Sequence, residues 1–152
     1  MDMDLESYLK NEKIWHKFIE KAETIRTADA AAASGVPLEK LTKTLVLLDE
    51  ANQPILAIIP GDCKLSFGKL RKATGAKSLR LSPFSEAESY SGYPPGGTPM
   101  LHHKNKMKVV VSSKLSAFDT IYGGGGSRRL ILELKTEDVV RLNNAVVADI
   151  TE

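Results

Sequence analysis

The chain has a single cysteine, Cys63, a single tryptophan, Trp15, and only three histidines. One thiol excludes an intramolecular disulfide and every zinc site that needs two or more cysteines. Together with the lack of any disulfide framework, it makes a cytoplasmic location the expectation. Long apolar runs are also missing. The longest are far too short to cross a bilayer, so no membrane partner is expected. The opening Met1-Asp2-Met3-Asp4 is acidic and runs into a polar amphipathic stretch, which is not the pattern of a signal peptide. Net charge is only +2, too little to name a partner.

Familiar phosphate-binding signatures are absent as well. Four glycines stand at 123–126, but no Gly-Lys-Ser/Thr follows them, and they lack the spacing of a dinucleotide fingerprint. Followed by Arg128, they read either as an anion site or as a flexible hairpin tip. Cys63 precedes a predicted helix, where a thiolate is favoured. No signature pairs it with a histidine, so a structural cysteine is the simpler reading. His102 and His103 are adjacent and on a strand would face opposite ways; without a third ligand they make no metal site. His16 stands alone. No metal and no cofactor is expected.

What is present describes an ordinary soluble domain. Apolar residues make up 42% and charged residues 26% of 152 positions, which suits one globular domain over 1–152. Basic residues cluster at Lys69, Arg71, Lys72, Lys77 and Arg80, at Lys104, Lys106 and Lys108, and at Arg128-Arg129. Such clusters suit a polyanion such as RNA, or a solvated helix face and a charged edge strand.

Helices are predicted over 4–12, over Ala28–Ser34 with Thr27 as cap and Gly35 as stop, and over 66–74 with Ser66 as cap and Gly75 as stop. Two more are predicted at Pro83–Tyr90 and, capped by Thr136, at Glu137–Leu142. Strands are predicted at Ile14–Ile19, Lys43–Leu48, Ile55–Ile59, Ser78–Leu81, Met107–Val111, Thr120–Tyr122, Leu130–Leu134 and Val146–Asp149. Pro54 opens the third of these, and a hairpin through Asp49–Gln53 joins it to the second. Many short strands with scattered helices predict an α+β domain with a mixed sheet.

Two features carry chemistry. Lys43 opens the most apolar strand, Lys43-Thr44-Leu45-Val46-Leu47-Leu48. Lysine is costly to bury, so its ammonium belongs where the sheet meets water or a cleft. The second feature is Gly92-Tyr93-Pro94-Pro95-Gly96-Gly97-Thr98-Pro99, which can be neither helix nor central strand. Its prolines stiffen the loop, and Gly96 and Gly97 let backbone approach a ligand. Amide groups held this way can grip a carbonyl oxygen or an anion.

The succession Lys43-Thr44-Leu45-Val46, Ile59-Pro60-Gly61-Asp62, Leu70-Arg71-Lys72-Ala73-Thr74-Gly75-Ala76-Lys77, the Pro-Gly loop, Phe118-Asp119-Thr120-Ile121-Tyr122, Glu133-Leu134 and Ala148-Asp149-Ile150 resembles the YbaK-like family. That family is the free-standing relative of the editing domain inserted in bacterial prolyl-tRNA synthetases. The resemblance implies a compact α+β domain with a curved mixed sheet and flanking helices. It implies a trans-acting deacylase that hydrolyses the ester of a mischarged tRNA, with tRNA for proline carrying alanine or cysteine as the type of substrate. An aminoacyl-tRNA synthetase is a further possible partner.

The resemblance also implies site roles. Lys43, Gly96 and Gly97 would form the catalytic group, with Lys43 near the terminal nucleotide and the glycines on the aminoacyl carbonyl. Thr44, Thr98, Pro99, Gly124, Gly125 and Arg128 would line the substrate site. The attacking group would be a water, which fits a sequence with no recognisable triad. An aminoacyl ester is already activated, so positioning and oxyanion stabilisation suffice. Two departures stand out. Only Thr98 separates Gly97 from Pro99, where many members have two residues. Gly124 and Ile131 also stand where cysteine-specific members carry a serine and an aspartate. A catalytically inactive tRNA- or protein-binding module of the same fold is the alternative, and an unrelated esterase using the same cleft is a third.

Overall fold

Eight strands and five helices of the computed structural model, which describes residues 4–152, form an α+β fold. In chain order they are α1 (Leu5–Asn11), β1 (His16–Glu20), α2 (Thr27–Ser34), β2 (Thr42–Asp49), β3 (Pro54–Pro60), α3 (Phe67–Thr74) and β4 (Leu79–Leu81). Then follow α4 (Phe84–Ser91), β5 (Lys108–Ser112), a 3-10 turn (Ser113–Ala117), β6 (Thr120–Gly124), β7 (Leu130–Lys135), α5 (Thr136–Leu142) and β8 (Val146–Ala148).

The expected mixed sheet is five-stranded, in the order β4-β2-β3-β5-β8. β2 runs antiparallel to β3 and β4, while β5 runs parallel to β3 and β8. The remaining strands form a second, antiparallel sheet, β1-β7-β6. One bridge, Leu41 to Tyr122, links the two, reinforced by the Tyr122 N–H donating to the Lys40 carbonyl at 2.9 Å.

Period-two alternation sorts β2 between two cores. Val46 belongs to the large core, with Leu56, Ile58, Val109 and Val111 from the mixed sheet and Ile121, Leu132 and Leu134 from the second sheet. Leu45 and Leu47 face the other way, onto Leu70 and Ala73 of α3, with Ala57, Ile59 and Val110. Buried on both faces, β3 reads as a near-continuous apolar run, as central strands do.

Helix ends follow local chemistry. Gly35, Gly75 and Gly92 all close helices with φ near +80°, where a Cβ is strained. The Ser66 side chain accepts from the Lys69 N–H, as expected of a cap. Two other expected caps are corrected. α2 begins at Thr27 itself, because Arg26 takes the extended conformation before it, and no side chain caps the helix. α5 likewise begins at Thr136 after an extended Lys135; the Thr136 hydroxyl instead donates to the Phe118 carbonyl at 2.6 Å.

Candidate active site

β2 is paired with β3 from Thr42 to Leu48, but with β4 only from Leu47 to Asp49. On that outer side the Val46 carbonyl accepts from the Ser82 N–H at 2.9 Å. Further down, β6 reaches β2 only near its start, where the Thr42 hydroxyl donates to the Tyr122 carbonyl at 2.9 Å. Between these two contacts lies a gap in the sheet edge. Peptide groups two residues apart on a strand point the same way, so those of Thr44 face the gap, as Val46's do.

A cavity of about 730 Å³ opens on this gap. β2 supplies Thr42–Val46, α2 and the segment before it supply Ile25–Ala28 and Ala30, and α4 supplies Phe84 and Ala87. The Pro-Gly loop adds Pro95, Gly96 and Thr98, and the second sheet adds Gly123, Gly124, Leu130 and Ile131. Three cations, Lys21, Arg26 and Lys43, line it, and among the described residues no carboxylate does. The first-turn amides of α2 lack a side-chain cap, and Thr27 and Ala28 lie on the cavity wall, which adds to its positive potential.

Lys43 is half-buried, and its Nζ donates to the Cys63 carbonyl at 3.1 Å. An ammonium has three donors, so this contact uses one and leaves two without a partner among the described residues. Lys21 differs: its Nζ donates to the carbonyls of Arg128 and Ala22 and to the Thr24 hydroxyl. Burial lowers its pKa, and with its donors committed it acts as a strut. The Thr44 hydroxyl is buried and has no hydrogen-bond partner among the described residues. Such a group is usually satisfied by a water or a ligand.

The Pro-Gly loop is held from three sides. The Gly97 N–H donates to the Pro94 carbonyl at 2.8 Å, and its carbonyl accepts from Gly126 at 2.9 Å. Arg128 Nε donates to the Pro95 carbonyl at 2.8 Å. The His103 ring bonds the Pro99 carbonyl through Nε2 at 2.8 Å, and the Tyr93 hydroxyl meets His102 Nδ1 at 2.6 Å. Burial pushes the Tyr93 phenol up to about 12 and holds the His103 imidazole below its ordinary value.

Backbone packs directly on backbone here. A Cβ on Gly124 would stand 2.4 Å from the Thr98 carbonyl oxygen, and one on Gly96 would stand 2.9 Å from the Ile25 Cα. Gly96 also has φ +88°, so glycine is required there twice over.

The structure thus brings Lys43, Thr44, Gly96, Thr98 and Gly124 to one cavity. Gly97, Pro99, Gly125 and Arg128, also expected in the substrate site, do not line the cavity. The Gly97 amide is committed to Pro94, and the Gly125 N–H donates to the Leu130 carbonyl at 2.9 Å. Pro99 is buried under His103, and Arg128 braces the loop. The amides of Gly96 and Thr98 make no hydrogen bond among the described residues, so they are the loop's available donors.

Cys63 does not line the cavity, and burial first, and then Asp62, push its thiol up. The described residues hold no cluster of three metal-ligating side chains. α2, Arg26 and Phe84 also line the cavity and were not singled out in the sequence; α2 offered only its alanine-rich composition and Phe84 no signal.

Comparison with known proteins identifies the family. The family model described as "Aminoacyl-tRNA editing domain" matches residues 20–142. The "Putative Cys-tRNA(Pro)/Cys-tRNA(Cys) deacylase EbsC" of Enterococcus faecalis is 28% identical over 136 residues, covering 90% of this chain and 83% of that protein. The crystal structure of hypothetical protein APE2540 superposes with a TM-score of 0.89 at 32% identity, covering 97% of this chain and 99% of the other. That of a "putative trans-editing enzyme for prolyl tRNA synthetase" superposes with 0.80 at 25% identity, covering 90% and 87%.

Proposed function

The chain belongs to the aminoacyl-tRNA editing domain family, and from that premise we propose that residues 1–152 form one trans-acting deacylase domain. It would hydrolyse the ester of a mischarged tRNA in the cytoplasm, working beside an aminoacyl-tRNA synthetase. The names of its relatives favour tRNA for proline carrying a small amino acid, and the apolar Gly124 and Ile131 on the cavity wall suit alanine at least as well as cysteine.

The observation that carries this reading is one cavity shared by Lys43 and the open amides of the Pro-Gly loop, lined by cations without a carboxylate. A phosphate of the terminal nucleotide meets Lys43, whose point charge needs no bidentate geometry. The ester carbonyl oxygen meets the Gly96 and Thr98 amides. Water attacks the carbonyl carbon, and the tetrahedral oxyanion is held by those donors. Collapse breaks the bond to the ribose oxygen, which leaves with the proton given up by the water.

The test is a panel of mischarged tRNAs incubated with wild type and Lys43→Ala. Hydrolysis of at least one by wild type, lowered by about 10²-fold or more in the variant, is the expected result. Tight tRNA binding without hydrolysis of any of them would make the chain a binding module instead.

A further inference from the structure

Among the described residues, seven large apolar side chains stand exposed, and three of them, Ile25, Leu81 and Phe84, line the cavity that holds Lys43. Single exposed apolar residues need no explanation, but three on the wall of one positively charged cavity do. Phe84 is the most open, 61% exposed, so its ring lacks cover. It is the first residue of α4, set by Pro83 at the N-cap, and Ala87 one turn on packs against the large core. The ring is therefore mounted on a fixed helix end.

We propose that Phe84, which shares the cavity wall with Leu81 and Ile25, is the stacking site for the 3′-terminal nucleobase of the RNA substrate. This rests on the deacylase reading and adds a base-binding subsite to it. The cavity offers amides for a carbonyl oxygen, a lysine for a phosphate and, on its wall, a flat apolar face. A 3′-aminoacylated nucleotide presents all three partners within one nucleotide: ester, phosphate and base. The absence of carboxylates suits an anionic ligand, and an aromatic face binds a base through its π-surface. Phe84 contacts the base and not the reacting atoms, so it is a binding residue.

Two measurements decide it. In a Trp15→Phe background, which removes the only native indole, Phe84→Trp places a fluorophore at the site. The trinucleotide CCA is expected to quench its emission saturably, while the same oligonucleotide lacking the terminal base is not. In deacylation, Phe84→Ala is expected to raise KM roughly 5- to 150-fold, the worth of one base–aromatic stack, with kcat kept and with Phe84→Trp restoring KM. Equal quenching by both oligonucleotides, an unchanged KM in Phe84→Ala, or an effect seen only when a synthetase is added would overturn the proposal. If wild type hydrolyses no mischarged tRNA, the deacylase reading falls and the quenching titration alone decides the subsite.

Discussion

The cavity has two walls built by opposite means. β2 is a regular strand, paired with β3 along seven residues and packed on both faces, and it presents Lys43 and Thr44 by strand register, with the Lys43 ammonium bonded to the Cys63 carbonyl. The facing wall is irregular. Its Pro-Gly loop is positioned by glycine contacts closer than side chains allow and by bonds from Arg128, His103 and Gly126. On the first wall, backbone pairing holds the strand, so removing a side chain is expected to leave its neighbours in place. On the second, position depends on several distant residues at once, so small changes there spread.

The two walls should therefore fail differently. The largest contrast is expected at Lys43: Lys43→Ala lowers deacylation about 10²-fold or more while the thermal midpoint stays close to wild type. A shift of many degrees would show that β2 is not the robust wall described.

Next comes Gly124→Ala. Its methyl group would meet the Thr98 carbonyl oxygen, so the loop must move; a loss of about 1–3 kcal/mol in denaturant unfolding is expected, together with loss of activity. Wild-type stability with wild-type activity would refute the close-packed wall.

Arg128→Ala should act more mildly. It removes the bond to the Pro95 carbonyl, for about 1 kcal/mol, and loosens the loop. If Arg128 instead held substrate, its loss would raise KM and leave stability unchanged, and that split separates the two roles.

The smallest effect is pH-dependent. Burial holds the folded His103 imidazole below 6.5, so the unfolded chain takes up that proton first. The stability it contributes is present above pH 6.5 and lost as pH falls below it. Thermal midpoints recorded from pH 7.5 to 5 should fall less steeply in His103→Gln, which keeps a donor for the Pro99 carbonyl. Parallel curves would remove His103 from the account.

The same contrast decides what could be read in advance. The β2 wall was legible, because a lysine before an aliphatic run and a proline-started return strand are local signals. Gly35 and Gly75 as helix stops and Ser66 as a cap were legible for the same reason. The loop was recognisable by composition, but the direction of its amides was not. Gly97 looks as available as Gly96 until Pro94 is seen to accept its hydrogen. Thr27 and Thr136 look like caps until the residues before them are found extended. Phe84 carries no local signal at all, since a phenylalanine near a helix start ordinarily turns inward.

The contact between Gly124 and the Thr98 carbonyl also bears on how the shape of the site is set. Because the strand leaves no room for a side chain opposite this loop, the residue at 124 and the path of the loop constrain each other. A polar residue at that position would have to be accompanied by a shift of the loop backbone, so the shape of this wall is set by two segments jointly and not by either alone.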